Sequence, residues 1–284
     1  MVRVMTDVAA DIPADFIKEH NVGVLPFYIN IGEKSILADE SLTPDEFYDM
    51  VRKSDDIPKT SQCTPEFIED MFRKLSEGGA AVVYASISAA ASGVVNTARM
   101  TAERLKEEEG LDITIVDSGT FSMGIGKPVM EAVLMAEAGA EKEEVVNFLT
   151  ETYERDRVYF VVDDLTFLKK GGRIKTTTAI IGDLLDIKPI LYSNDGLVEV
   201  YAKVRGSKKA ISKLVDEAVE KMDEPQENEV IVLEADAKEK AEILIKMLEK
   251  KLSPKKISTY QVGPVITSHA GVGVLGIYFK HKKK

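Results

Sequence analysis

Residues Ala81 to Asp117 read AVVYASISAAASGVVNTARMTAERLKEEEGLDITIVD. Ala81–Ile87 is a short run of β-branched and aromatic residues, and Ser88–Gly93 is small, hydroxyl-bearing and ends in glycine. Val94–Glu109 then reads as a helix, and Ile113–Asp117 as a second strand. A strand, a helix and a strand in that order make a parallel pair joined by a crossover.

The same alternation runs back to the first residues. Strands are expected at Val2–Thr6 and Val22–Ile31. Helices begin at Thr43-Pro44-Asp45-Glu46, a capping box with proline at the first helical position, and at Thr64-Pro65-Glu66, which repeats the cap and proline. An amphipathic stretch from Glu141 to Arg155 leads to the strand Val158–Val162, and there the character of the sequence changes. Ile190–Ser193 and Leu197–Val204 flank Asn194-Asp195-Gly196 and read as an antiparallel hairpin. Helices at Ser207–Met222 and Ala237–Lys250 flank the strand Val230–Leu233, and strands near Ile257–Val262 and Val274–Phe279 close the chain.

A length of 284 residues suits two domains, each with its own core. The expectation is an α/β protein with an N-terminal parallel α/β/α (Rossmann-like) layer over 1–155 and a C-terminal α+β domain with a mixed or antiparallel sheet over 156–284. With 44% hydrophobic and 30% charged residues and no low-complexity tract, the whole chain should fold. Net charge is −11 and the dense basic run is the tail Lys280–Lys284, read as a frayed terminus, so nucleic acid is not an expected partner. No leader segment precedes the strand at Val2 and no apolar run reaches the ~18 residues of a membrane span, so a cytoplasmic protein is expected. Cys63 is the single cysteine, and no Cys/His cluster points to a metal.

In parallel α/β sheets ligands collect at the carboxyl ends of the strands. The loops there are Thr6–Asp11, Lys59–Gln62, Ser86–Gly93 and Asp117–Thr120, rich in hydroxyls and nearly free of bases. Ser92-Gly93 opens the helix at Val94, where a hydroxyl and free amides can meet an anion. Ser92 can equally cap that helix. His269, read as lying in a glycine-bearing tight loop between strands, is either structural or a partner for a carboxylate. No Gly-x-Ser-x-Gly elbow surrounds Ser92, Val129 stands where a dinucleotide fingerprint needs its third glycine, and Lys169–Arg173 lacks the spacing of a phosphate-binding loop. Ser92 and His269 still leave a Ser/His hydrolase or phosphotransferase, acting on a small acidic or acyl substrate, as the alternative to a binding protein.

Read in order, the motifs resemble the DegV family along the whole chain. They are Thr6-Asp7-Val8-Ala9-Ala10-Asp11, Pro58-Lys59-Thr60-Ser61-Gln62, Ser88–Gly93, Asp117-Ser118, Ser122–Gly126, Leu168–Ile174, Ile187–Leu191, Lys203-Val204-Arg205-Gly206 and the His269 loop. The resemblance implies a carrier, with no catalysis or cofactor of its own, that holds a long-chain fatty acid such as palmitate, stearate or oleate in a tunnel between two domains. It also implies a separate fatty acid kinase as the partner that converts the presented carboxyl group to an acyl phosphate. Thr60, Ser92 and His269 match the family's carboxylate contacts, with Ser61 and Gly93 beside them, while Arg173, Lys203 and Arg205 are read as a face toward the kinase. Val8, Cys63, Ala89, Val94 and Val272 depart from the family pattern and bear on acyl preference. Tunnel walls are sought among Phe27, Ile31, Ile125, Met130, Ile180, Ile181, Leu184, Leu185 and Ile190. About 14 methylenes at ~0.8 kcal/mol each give a gross burial on the order of 11 kcal/mol. Ordering the chain takes back several of these.

Overall fold

The computed structural model describes residues 1–175 and 187–283. Strand β1 (Val2–Asp7) is buried continuously from Val4 to Asp7, as a strand covered on both faces should be. After the short helix α1 (Ala14–Glu19) the run read as one strand, Val22–Ile31, divides into β2 (Gly23–Leu25) and β3 (Phe27–Ile31). β2 pairs parallel with β1, whereas β3 pairs antiparallel with β4 (Lys34–Ala38). The break falls at Pro26, which cannot donate to a ladder and so ends one pairing before the next begins.

Helix α2 (Pro44–Arg52) starts at Thr43 with the expected capping box. β5 (Lys59–Gln62) then completes a three-stranded antiparallel sheet, so the segment read as a ligand loop is a strand. Beyond α3 (Pro65–Leu75), which Thr64 caps, β6 (Ala81–Ser86) has Val82 to Ser86 all buried. The half closes with α4 (Val94–Glu109), β7 (Ile113–Asp117), α5 (Met123–Glu137) and α6 (Lys142–Arg155). The main sheet has the order β2-β1-β6-β7 with every neighbour parallel. Chain order runs outward in both directions from the β1–β6 gap. The switch point therefore lies at Asp7 and Ser86, the carboxyl ends of those strands.

The second sheet is built from β8 (Arg157–Val161), β9 (Ile187–Asn194), β10 (Leu197–Arg205), β11 (Glu229–Glu234), β12 (Lys256–Gln261) and β13 (Leu275–Phe279). Helix α7 (Thr166–Gly171) follows β8, α8 (Ser207–Lys221) follows β10, α9 (Lys238–Leu252) follows β11, and α10 (Pro264–Ala270) precedes β13. The order is β10-β9-β8-β13-β11-β12, mixed because β11 and β12 run parallel while the other neighbours are antiparallel. The β9–β10 hairpin turns on Asp195 and Gly196, both at positive φ (47° and 80°), which is the geometry the Asn-Asp-Gly run called for.

Period-2 alternation gives the second sheet two apolar faces. Tyr159 and Val161 pack with Leu214, Leu244 and Leu248 of α8 and α9. Val158, Phe160 and Leu233 point the other way and share a core with Tyr48 and Met123 of the first half. The halves are also joined by hydrogen bonds: the Tyr48 hydroxyl donates to Val262 O at 2.6 Å, and Gln261 Nε2 donates to Asp45 at 2.7 Å. The tail is not frayed through Lys282. His281 is buried against Phe279, with ring centroids 4.5 Å apart, and Lys282 N donates to Lys221 O.

Candidate functional site

A cavity of about 780 Å³, its mouth included, lies where the inner face of the second sheet meets the switch point of the first. Its walls are apolar: Phe27, Ile87, Phe121, Val158, Phe160, Leu168, Val198, Leu233, Val262, Val265, Ile266 and Val274. Phe121 and Phe160 meet edge to face, ring centroids 5.6 Å apart. Among the described residues, five polar or charged side chains interrupt the lining, namely Thr60, Ser92, Ser122, Arg173 and His269.

Each reaches the cavity for a local reason. Thr60 and Ser61 are neighbours in β5, so they face opposite ways; Ser61 is exposed, is in register with Tyr28 and does not line the cavity. Ser92 sits in the turn before α4. The N-cap residue is Gly93, in helical conformation and without a side-chain cap, and among the described residues Ser92 Oγ accepts only a long 3.4 Å bond from Val94 N. Capping therefore occupies Ser92 weakly. Gly93 is exposed and outside the lining.

His269 lies in α10 rather than in a tight loop, because Pro264 starts a seven-residue helix and Gly271 ends it at φ 78°. Its Nε2 is 2.8 Å from Thr60 Oγ1, and its Nδ1 is buried with no partner among the described residues. Gly171 packs against that nitrogen so closely that a Cβ there would come to 2.6 Å. Burial, aided by the positive charge of Arg173, pushes the imidazole pKa down to about 4, so the ring is neutral near pH 7.

Arg173, expected on a docking face, turns inward instead. It lines the cavity, its Nε donates to Ala91 O at 3.0 Å, and its Nη1 donates to Gly171 O. Burial lowers its pKa, and it pairs with no carboxylate among the described residues.

 Lys203 and Arg205 are exposed on β10 and stand apart from the cavity lining.

Of the expected tunnel walls, Phe27 lines the cavity. Ile31 is outside the lining, Ile125 and Ile190 are fully buried in the cores of the two halves, and Met130 packs beside the shared core. Ile180, Ile181, Leu184 and Leu185 lie outside the described residues. Among the departures from the motif pattern, Cys63 and Val94 are buried core residues, and burial pushes the Cys63 thiol up to about 11. Neither touches the cavity.

Ser122, from the Ser122–Gly126 motif, also lines the cavity. It sits at φ 55° and ψ −142°, and its Oγ donates to Asp11 Oδ2 at 2.5 Å. Asp11, also at positive φ (55°), carries a carboxyl pushed up to about 7 by burial. The two motifs that contain them were the available signal. No group of side chains fit to hold a metal ion is found among the described residues.

Fold and cavity together define an α/β protein with a parallel sheet, a separate mixed sheet and a buried apolar chamber carrying a few polar groups between them. A family model described as "Uncharacterised protein, DegV family" matches residues 1–282. A DegV domain-containing protein of Clostridium perfringens is 35% identical over 280 residues, which are 97% of this chain and 96% of that protein. The crystal structure of a fatty acid binding DegV family protein from Streptococcus agalactiae is similar with a TM-score of 0.88 at 31% identity, covering 100% of this chain and 99% of that one. A DegV family protein from Thermus thermophilus, described for its fatty acid binding, has a TM-score of 0.87 at 31% identity, covering 99% of both chains. The chain belongs to the DegV family.

Proposed function

We propose that the chain binds one long-chain fatty acid, such as palmitate, stearate or oleate, with the acyl chain in the apolar chamber and the carboxylate among Thr60, Ser92 and Arg173. The observation that carries this reading is the pairing of an almost wholly apolar cavity with a buried arginine and two hydroxyls. A carboxylate taken from water into such a chamber needs both hydrogen bonds and a counter-charge. Arg173 supplies the charge, and its Nη2 makes no hydrogen bond among the described residues. Neutral His269 acts through Thr60: with Nε2–H donating to Thr60 Oγ1, the threonine hydroxyl proton is turned toward the ligand.

The same geometry argues against a Ser/His hydrolase. His269 bonds Thr60 rather than Ser92, its other ring nitrogen has no carboxylate to orient it, and a pKa near 4 makes it a poor base at neutral pH. The reading is thus a cytoplasmic carrier that needs no cofactor and presents the carboxyl group to a fatty acid kinase for acyl-phosphate formation. Exposed Lys203 and Arg205, which form no ion pair among the described residues, are the side chains offered to that kinase. The carrier divides into domains of 1–155 and 156–284.

Titration of delipidated protein with oleate tests the reading. Wild type should bind one equivalent, Ser92→Ala should bind about tenfold more weakly with little change in thermal midpoint, and Lys203→Ala with Arg205→Ala should bind normally. Failure of the wild type to bind oleate or palmitate overturns the proposal. With a fatty acid kinase supplied, the Lys203/Arg205 variant should be poorly phosphorylated, and unchanged phosphorylation would remove those residues from the docking face.

A further inference from the structure

Gln62 belongs to the same motif as Thr60 and stands two residues after it in β5, so both side chains project from one face of the strand. Thr60 lines the cavity and Gln62 does not. Instead Gln62 reaches across to helix α4, where its Nε2 donates to Thr97 Oγ1 at 2.9 Å. Thr97 Oγ1 in turn lies 3.4 Å from Gly93 O, one helical turn back. The other end of the amide, Gln62 Oε1, is buried with no hydrogen-bond partner among the described residues. It rests on Gly93, where an added Cβ would come to 3.3 Å.

A buried amide oxygen without a partner is costly, and such an atom calls for an explanation. Its location supplies one. Thr60 is carried by the three-stranded sheet, whereas Ser92 is carried by the turn between β6 of the parallel sheet and α4. The two hydroxyls therefore come from separate sheets, and Gln62 bridges the strand of one to the helix start of the other. Gly93, adjacent to Ser92 and lacking a side chain, is the surface on which the amide lies.

We infer that Gln62 is a positioning residue: its amide, held between Thr97 and Gly93, sets the spacing of the Thr60 and Ser92 hydroxyls and so the fit of a carboxylate between them. This rests on the fatty-acid reading and deepens it, because it gives Gly93 a role as the seat of Gln62 rather than as a ligand contact. It also separates recognition of the head group from burial of the chain. A disturbance of the amide should be felt by an acid and hardly at all by a ligand of equal length without a carboxylate.

The test compares palmitate with hexadecanol on the full chain. Gln62→Leu keeps the bulk of the side chain and removes its amide; palmitate should bind about tenfold more weakly and hexadecanol within about twofold of wild type. Thr97→Val should reproduce the loss, the double variant should be no weaker than either single one, and Thr97→Ser should retain wild-type affinity. Unchanged palmitate affinity, equal weakening of both ligands, or additive losses would each overturn the inference. A readout free of ligand guards the test: the ¹⁵N resonance of His269 Nε2, which reports where Thr60 stands, should move in ligand-free Gln62→Leu. If wild type binds neither compound the fatty-acid reading fails, and that resonance alone decides, an unmoved signal overturning the positioning role.

Discussion

Replacing Gly171 with alanine adds one methyl group at the back of the histidine. Gly171 is the last residue of α7 and has no need of the left-handed backbone that Gly172 adopts at φ 69°, so alanine is compatible with its conformation. Alanine is also the better helix former, by up to ~1 kcal/mol. The new Cβ, however, would stand 2.6 Å from His269 Nδ1, whereas ordinary contact begins at 3.4 Å. The ring has to give by about 0.8 Å, the difference between those distances. The push comes from the side of the ring away from Nε2, and the 2.8 Å bond between His269 Nε2 and Thr60 Oγ1 has no room to shorten by that much, so the ring must turn and the bond lose its alignment. Loss of one such bond is worth about 0.5–1.5 kcal/mol, or roughly 2- to 13-fold in affinity. Isothermal titration of Gly171→Ala with oleate should show that loss while the thermal midpoint stays within about 2 °C of wild type. Undiminished affinity would refute the claim that His269 directs the Thr60 hydroxyl, and a large fall in midpoint would mean that the methyl disturbs more than the ring.

Arg173→Met leaves a bound carboxylate without its counter-charge and should weaken oleate binding by about 100-fold or more, measured by competition against a fluorescent fatty acid; a change under about threefold would show that Arg173 is not the counter-ion. Asp11→Asn tests the carboxyl pushed up to about 7. Burial raises this carboxyl above its unfolded value near 3.9, so its ionisation destabilises the fold above pH 7 and that penalty fades as pH falls toward 4. The variant should therefore unfold at a higher urea concentration than wild type at pH 8, with the gap narrowing below pH 7 and closing near pH 4; a gap independent of pH would contradict the assignment. Gly196→Ala places a Cβ 1.9 Å from Ser88 Oγ on a backbone at φ 80°, and should cost about 2–4 kcal/mol in chemical denaturation. A loss under ~1 kcal/mol would mean that the β9–β10 turn has room to shift.

The parallel layer was legible because β6 and β7 are short apolar runs separated by one helix, and because Thr43 and Thr64 announce helices with a cap followed by proline. The β9–β10 hairpin was legible from Asp195-Gly196. The three-stranded sheet was not: β4 and β5 read KSILA and KTSQ, too polar to mark as strands, and Pro26 is easily read through in a run of apolar residues. Missing β5 as a strand also hid the alternation that turns Thr60 inward and Ser61 outward. α10 was lost for a different reason. Gly263 and Gly271 read as loop punctuation, and only Pro264 hinted at the seven helical residues that aim His269 at Thr60.

Thr60, Ser92 and His269 could be named from the order of motifs, since each lies beside glycine, proline or hydroxyl residues that mark it out. Arg173 could not be placed, because nothing local says that its side chain reaches Ala91 O, 82 residues earlier in the chain. Ser122 escaped for the same reason: its partner Asp11 is 111 residues away, and their contact exists only once β1 and β7 lie in one sheet. Sequence periodicity reports which face of an element is apolar, whereas the approach of two loops is set by strand order.

On the proposed function, the chamber between the two sheets holds one fatty acid by its chain and its carboxylate. Native mass spectrometry of delipidated protein mixed with equimolar palmitate, stearate and oleate tests it most directly. A single adduct with the mass of one long-chain fatty acid is expected, saturating at one per chain and strongly reduced in Arg173→Met. No adduct, or a ladder of adducts that never saturates and ignores Arg173, would contradict it.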